Sequence, residues 1–558
     1  MPRSLLAIFA FSLSLVIPTF ADDVKPLAEN SDLAGAYQLY RSGRFADAAE
    51  KYQAILTGNA TLVPAQLGLI LSLLRQQKID EASAQASKAL AAQPNSAALL
   101  AVLGDVQFRL GEMAEAQDSY LHAQIVDPKE LRPYLGLARL YAAYSLRGRA
   151  YEELKAARQI APNDPEVQRL WFDRLGRRER IAAIQAYLAG AHPDDAEETE
   201  RLQHYLEFLE ATVDQPVHAC KLVSKVEQTD TKLEQTLRDA RHIVGYGVSV
   251  KLNDRNSTLL LDTGASGILI GRKSAEKAGL KHISDIRYFG VGDKGLQSGY
   301  LALAEHIRVG ELEFAACVVH VADRVQLSDE DGLIGADVFG SYLIDIDLPA
   351  GKLRLSPLPK RPDDKAAPTA LNSEGEARSN PDDSPEGGGD QKADSAGTAS
   401  KSADAVPRLR QPRDRYVAPE MKGWTPVFRF GHQLLIVSAV NNSKPMLFLI
   451  DTGSQLNFLS TRAAREVGKI SSDPTVHVKG LSGNVADVYR ADNATLRFGH
   501  FAQKNQSIVT LDLSKISKGT GTEVSGILGF QVLRMLQVKI DYRDGLVDFA
   551  YDQSRWQH

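Results

Sequence analysis

Two rhythms of apolar positions divide this chain. From about residue 29 to 162 apolar side chains recur at three- and four-residue intervals, as in Leu99, Leu100, Leu103, Phe108 and Leu110, the spacing of amphipathic helices. Helical sequence with a less clear period continues to about residue 241. At His242 the pattern changes to short runs rich in β-formers, 243–252 and 257–261, parted by the turn Asn253-Asp254-Arg255-Asn256. This character lasts to about Pro357. From 360 to 415 the only large apolar residues are Leu371, Val406 and Leu409, and the rest is polar, including Gly387-Gly388-Gly389. Such a stretch cannot bury enough surface to offset its ordering entropy. β-rich sequence resumes near Trp424 and runs to Tyr551. The pattern predicts a multidomain chain: an all-α helical-repeat solenoid over 29–241, an all-β lobe over 242–357, a disordered linker over 358–423 and a second all-β lobe over 424–558.

Both folded parts are internally duplicated. In the helical part Ala48, Ala82, Ala116 and Ala150 stand 34 residues apart, as do Pro94, Pro128 and Pro162. Tyr52 and Tyr120 fall in register with them, as do Gly43 and Gly111. Small residues at a fixed period let one helix pack closely on the next. Each unit reads as a helix pair closed by a proline turn, the best running over 97–128. This period and its small-residue positions resemble the tetratricopeptide repeat (TPR), although its usual tryptophan is missing. In the β part, Ser257-Thr258-Leu259-Leu260-Leu261-Asp262-Thr263-Gly264 aligns without a gap on Met446-Leu447-Phe448-Leu449-Ile450-Asp451-Thr452-Gly453, each behind a turn. Helices are expected next, over 272–279 and 461–468. Later Gly332-Leu333-Ile334-Gly335 matches Gly526-Ile527-Leu528-Gly529.

Composition narrows the classes. A length of 558 residues suggests three to five domains, and 44% apolar with 24% charged residues is ordinary for globular chains. A net charge of −5 offers no basic excess for nucleic acid. Two cysteines and twelve scattered histidines point to neither a disulfide framework nor a structural metal, and no cofactor motif stands out. Residues 1–21 read as an export signal: Arg3, an apolar stretch over 5–17, then Thr19-Phe20-Ala21. Thirteen helical residues span about 20 Å, short of a bilayer core. The expectation is a periplasmic or secreted protein without a stable membrane span after cleavage; the alternative is an uncleaved anchor. Cys220 and Cys317 fall in different predicted domains and read as two buried free thiols, the alternative being one interdomain disulfide.

The chemistry lies in the duplicated aspartates. A carboxylate directly after three apolar strand residues is costly unless it serves a purpose. The following glycine permits a tight turn and close backbone approach, and the threonine hydroxyl can lock that turn. Two such units face to face bring Asp262 and Asp451 together. Like charges that close cannot both ionise, so the pair shares a proton. One member can then take a proton from water while the other donates to a carbonyl, a general acid–base hydrolysis of a peptide bond. Apolar-apolar-Asp-Thr-Gly-Ala/Ser, a glycine-containing hairpin and a late apolar-apolar-Gly resemble the retropepsin-like aspartic proteases over two fifths of the chain. The resemblance implies Asp262 and Asp451 as the catalytic pair, with Thr263 and Thr452 tying the turns together and Gly264 and Gly453 supporting them. It also implies Leu333-Ile334-Gly335 and Ile527-Leu528-Gly529 beneath the catalytic loops, and flaps at 288–299 and 477–488. In that family each lobe gives one aspartate and the enzyme is a dimer. A linker of about 65 residues spans roughly 40–50 Å as a coil, enough for one chain to form its own pseudo-dimer.

The expected function is therefore an exported aspartic endopeptidase acting on a peptide or protein substrate, with the helical repeats binding a partner or presenting substrate. The alternative is an inactive protease-like peptide-binding or scaffold protein. Homodimers of like lobes and cleavage of the linker remain open. Gly290-Val291-Gly292-Asp293-Lys294-Gly295 fits a dinucleotide pattern literally, but no helix is expected to start there, so a hairpin is the reading. Gly264-Ala265-Ser266-Gly267 and Gly480-Leu481-Ser482-Gly483 read as turns, Asp329-Glu330-Asp331 as a solvated loop, and Asp345, Asp347 and Asp541 as outward-facing.

Overall fold

The computed structural model describes residues 31–190, 192–213, 220–239, 242–288, 297–323, 331–362, 370–371, 412–467, 470–472, 478–480, 483–485 and 489–556. The expected export signal lies outside them, as does the tip of the first expected flap. Among the described residues no helix is long and apolar enough to cross a membrane.

Among the described residues eleven α-helices run from Ser31–Arg41 to Ala196–Ala211, forming a TPR-like array. In the regular part the first helices of successive pairs are Ser31–Arg41, Val63–Arg75, Ala97–Arg109 and Arg132–Ala143, and the second helices are Phe45–Gly58, Ile79–Ala92, Met113–Val126 and Arg147–Ile160. Ala48, Ala82, Ala116 and Ala150 are all buried at the contacts. The tyrosines explain the paired glycines. The ring of Tyr120 leans on Gly104, where an added Cβ would lie 2.6 Å from it, and on Gly136. The turn inside each pair needs one residue in the left-handed region, and it too repeats every 34 residues: Gly43, Gln77, Gly111 and Ser145, with φ of 71°, 62°, 77° and 58°. Glycine adopts this freely; Gln77 and Ser145 do so against a steric penalty. Polar contacts line the first-helix side. Asp105 accepts from the Tyr120 hydroxyl at 2.8 Å and pairs with Arg132 at 2.8 Å and Arg139 at 3.4 Å.

The helical region is shorter than expected. It ends at Ala211, and Cys220–Leu222 and Thr229–Asp239 are strands. The long strand carries Thr229, Thr231 and Thr236, which are β-formers. It is held by partners further along the chain: Leu353 opposite Thr231, and Val248 opposite Leu233. No local period reports such pairing. Cys220 therefore belongs to the first lobe, where it forms a disulfide with Cys317. Neither free thiols nor an interdomain bond is present; the two strands are neighbours, with Lys221 opposite Ala315. The bond closes a separation of 97 residues, a large loop to remove from the unfolded chain.

The two β-rich lobes share one core and one sheet. Tyr342–Asp347 of the first lobe pairs antiparallel with Gln537–Asp541 of the second, Ile344 opposite Ile540. Lys352–Pro357 and Leu546–Ala550 extend this joint on either side. In each lobe the strand leading to the Asp-Thr-Gly turn pairs in parallel with the late glycine strand: Arg255–Asp262 with Gly332–Gly335, and Met446–Ile450 with Gly526–Leu528. Val478–Gly480 pairs with Gly483–Val485 as a hairpin at the second expected flap.

The ends of the expected linker are ordered. Ala370–Leu371 adds to the strand at Cys220. Arg361 and the Tyr416 backbone N–H both bond Asp544 Oδ1, at 2.5 and 2.8 Å, and Arg415 donates to the Asp544 carbonyl at 2.7 Å. Both ends are thus held by one buried residue, Asp544, through its carboxylate and its carbonyl, a long-range pairing that composition does not reveal. Asp541 beside it is fully buried rather than outward-facing.

The helical array grips both lobes. Phe108, Met113, Ala143 and Tyr144 pack with Phe428, Leu435, Leu447 and Leu449 of the second lobe. Ile184, Phe208 and Leu209 pack with Leu301 and Val318 of the first. Glu198 pairs with Arg75 inside the array, while Lys518 of the second lobe reaches Asp195 at 3.1 Å.

Candidate active site

Each Asp-Thr-Gly turn begins where an apolar strand leaves the sheet, so the aspartate is fixed by the strand and its carboxylate by the turn. Asp262 Oδ1 accepts from the Gly264 N–H at 2.8 Å. Asp451 Oδ1 accepts from the N–H groups of Gly453 and Ser454 at 2.9 and 3.0 Å. These bonds offset part of the desolvation of each carboxylate.

The threonines join the turns reciprocally. The Thr263 N–H donates to Thr452 Oγ1 at 3.1 Å, and the Thr452 N–H donates to Thr263 Oγ1 at 3.0 Å. Each hydroxyl then donates to the strand preceding the opposite aspartate: Thr263 Oγ1 to the Ile450 carbonyl and Thr452 Oγ1 to the Leu261 carbonyl, both at 2.8 Å. Both threonines are buried. Four hydrogen bonds with two-fold symmetry leave one relative placement for the turns.

That placement brings the carboxyl groups together. Asp262 and Asp451 are half-buried and share a side-chain hydrogen bond. The glycines give them room. A Cβ on Gly264 would sit 2.7–3.0 Å from the Asp451 carboxyl, and one on Gly453 would overlap the Asp262 carboxyl. Burial raises both pKa values above the ordinary aspartate range, and Asp262 pushes Asp451 higher still. Ionising both carboxyls together is therefore disfavoured.

The late glycines lie beneath these turns. The Gly335 N–H donates to the Gly267 carbonyl at 2.7 Å, and the Gly529 N–H donates to Asn457 Oδ1 at 2.9 Å. A Cβ on either would strike backbone just after the Asp-Thr-Gly turn of its own lobe, Ala265 in the first and Ser454 and Leu456 in the second. All six site residues expected from sequence, Asp262, Thr263, Gly264, Asp451, Thr452 and Gly453, thus meet at one place. Sequence reasoning missed two neighbours. Asp337 accepts from the Gly267 N–H at 3.0 Å and from Ser266 Oγ at 3.2 Å; its signal was an acidic residue two positions after the late glycine. Asn457, six residues after Asp451, is a buried polar side chain whose signal was its place within an apolar run. Among the described residues no group of three or more His, Cys, Asp or Glu is arranged to hold a metal ion.

Two segments of this chain, 248–338 and 437–532, match the family model described as aspartyl protease. Among solved structures, the aspartic proteinase from Irpex lacteus is 12% identical, with 58% of this chain and 98% of that chain covered and a TM-score of 0.32. A thermophilic TPR protein of Thermus thermophilus is 20% identical, with 32% of this chain and 97% of that chain covered and a TM-score of 0.27. A search of curated proteins finds no match to the sequence. The chain carries two tandem aspartyl-protease-like regions behind a TPR-like helical region.

Proposed function

We propose that this chain, whose two lobes carry the aspartyl protease match, is an exported aspartic endopeptidase. Its two lobes act as an intrachain pseudo-dimer on a peptide or protein substrate. The observation that carries the reading is the reciprocal threonine bonding, which sets the Asp262 and Asp451 carboxyls against each other under shared burial. In the hydrolysis, the ionised carboxylate takes a proton from water as the water oxygen adds to the scissile carbonyl carbon. The protonated carboxyl gives its proton to the carbonyl oxygen. The resulting diol collapses: one hydroxyl returns its proton to the dyad as the carbonyl re-forms, the C–N bond breaks, the amine nitrogen takes up the other proton held by the dyad, and the new acid leaves. Water is the nucleophile, and every proton comes from it or from the pair.

Export is supported by the apolar leader at 1–21 and by the Cys220–Cys317 disulfide, a bond that persists in oxidising compartments. The helical array is read as the part that holds a partner or presents substrate. The test is cleavage of a peptide library by the purified chain across acidic to neutral pH. Asp262→Asn and Asp451→Asn should each abolish turnover, a loss of roughly 10³-fold or more, while thermal unfolding shows that both remain folded. Full activity in either variant rejects the dyad.

A further inference from the structure

Helix Ala196–Ala211 closes the helical array, and its two ends are fastened by different chemistry to different bodies. Its N-terminal end is acidic, Asp194-Asp195-Ala196-Glu197-Glu198. Asp195 caps the helix by accepting from the Glu198 N–H at 2.8 Å, and the Glu198 carboxylate accepts from the Asp195 N–H at 3.0 Å. The same carboxylates are met from outside. Lys518, on the second lobe's helix Ser514–Thr520, reaches Asp195 at 3.1 Å and Glu197 at 2.9 Å. Arg75 of the array pairs with Glu198, and Arg169 pairs with the buried Asp194 at 2.7 Å.

The other end of the helix is apolar and packs on the first lobe. Phe208 and Leu209 are buried with Leu301 and Val318, and Ile283 and Ile286 pack against them. Leu301 lies on Gln297–Val309 and the two isoleucines on Lys281–Tyr288. These strands pair with each other, Leu301 opposite Ser284, and are the legs of the first expected flap. Arg177 of the preceding helix donates to the Thr212 carbonyl at 3.2 Å and secures this end. From Glu197 to Phe208 the helix covers about 17 Å. One rigid element thus reaches from the second lobe's Lys518 to the first lobe's hairpin, by a route outside the dyad and the shared sheet.

The anchor in the second lobe is close to the catalytic strands. Just after Lys518 the chain is fixed on the array: Thr522 Oγ1 donates to the Phe108 carbonyl at 2.6 Å, and the Glu523 N–H donates to the Arg109 carbonyl at 2.9 Å. Gly526–Leu528 follows, the strand paired with Met446–Ile450 ahead of Asp451.

We propose that helix Ala196–Ala211 is a strap between the lobes: its acidic end, clamped by Lys518 and Arg75, holds its apolar end against the hairpin of Lys281–Tyr288 and Gln297–Val309, so that order in this hairpin is set from the second lobe and the array. A lone exposed ion pair would hold little. Here one ammonium meets two carboxylates, one of which also caps the helix, and a helix carries a loss at one end to the other because it moves as a unit.

The test is amide hydrogen exchange in the full chain, which needs no turnover. Lys518→Glu sets a further carboxylate against Asp195 and Glu197. It should speed exchange of the Lys281–Tyr288 and Gln297–Val309 amides about fivefold or more, although the altered contact is at the far end of the helix. Adding Glu197→Lys restores an opposite pair at that contact and should return the hairpin to within about twofold of the parent. Lys444→Glu is the control. It breaks a different ion pair between the second lobe and the array, with Glu112 at 2.7 Å, and should leave the hairpin at the parental rate. Unchanged hairpin exchange in Lys518→Glu overturns the proposal, as does equal acceleration in Lys444→Glu or no recovery in the double variant. The strap and the hydrolytic reading fail independently: a chain that cleaves no peptide still reports the coupling, and a hairpin indifferent to Lys518 leaves the dyad untouched.

Discussion

At the scale of the residue, the site is an account of how two carboxylates are kept where carboxylates are unwelcome. Each ends an apolar strand, each receives backbone N–H groups from its own turn, and each faces a glycine of the opposite turn. The threonines carry the arrangement because their hydroxyls donate and accept at once. Thr452→Val removes an acceptor for the Thr263 N–H and a donor to the Leu261 carbonyl, both buried groups. It should destabilise the chain by about 2–4 kcal/mol in chemical denaturation and depress kcat, with Thr452→Ser close to the parent in both. A valine variant of parental stability would mean that the turns are held by packing alone. Asp337 and Asn457 show the same economy of polar groups: each is buried, and each satisfies a backbone N–H that the tight turn leaves without a strand partner.

At the scale of the element, the turn after Gln537–Asp541 does the most to join separate parts. Asp544 collects Arg361, Arg543 and the Tyr416 N–H, and its own N–H donates to Asp541 Oδ1 at 3.0 Å. Asp541 is left with its pKa raised to about 7 by burial and by the charge of Asp544. An aspartate raised in this way binds its proton more readily folded than unfolded. Between the unfolded value near 4 and the folded value near 7, the native state therefore holds more protons, and stability falls as pH rises through that window. Melting temperature should decline from pH 4.5 to about pH 7.5, and Asp541→Asn should flatten part of that decline. Asp262, Asp451 and Asp337 are shifted in the same direction and contribute the remainder. A variant with the parent's full slope would show that Asp541 is ionised in the native protein throughout. The helix pairs make a different point about elements. Their 34-residue period includes a left-handed turn position, where Gln77 and Ser145 adopt what Gly43 and Gly111 adopt freely, because the packed helices on either side fix the turn.

At the scale of the whole molecule, the lobes are one body before they are two. They share a hydrophobic core, the joint between Tyr342–Asp347 and Gln537–Asp541, and the threonine exchange. The helical array packs against both, so lobe pairing is reinforced from outside the sheet. This predicts that pairing stays within a chain. A mixture of the Asp262→Asn and Asp451→Asn chains should show no more activity than either alone, and active parent should sediment as a monomer. Activity restored on mixing would place the two aspartates of a working site on different chains.

Much of this was legible in the sequence. The 34-residue period gave the helix pairs, and the twin Asp-Thr-Gly segments gave the six residues that converge. Both signals are local and repeated, and a repeat reports a structural unit that its neighbours must match. The sequence alone therefore determined which units are built. Tertiary structure decided how they are completed. Thr229–Asp239 is secured as a strand by Leu353 opposite Thr231, and Cys220 met Cys317 because their strands are adjacent. Arg361 and Arg415 were drawn to Asp544. Each of these depends on a partner about a hundred residues away or more, and long-range pairing of single groups leaves no period in a chain to be read.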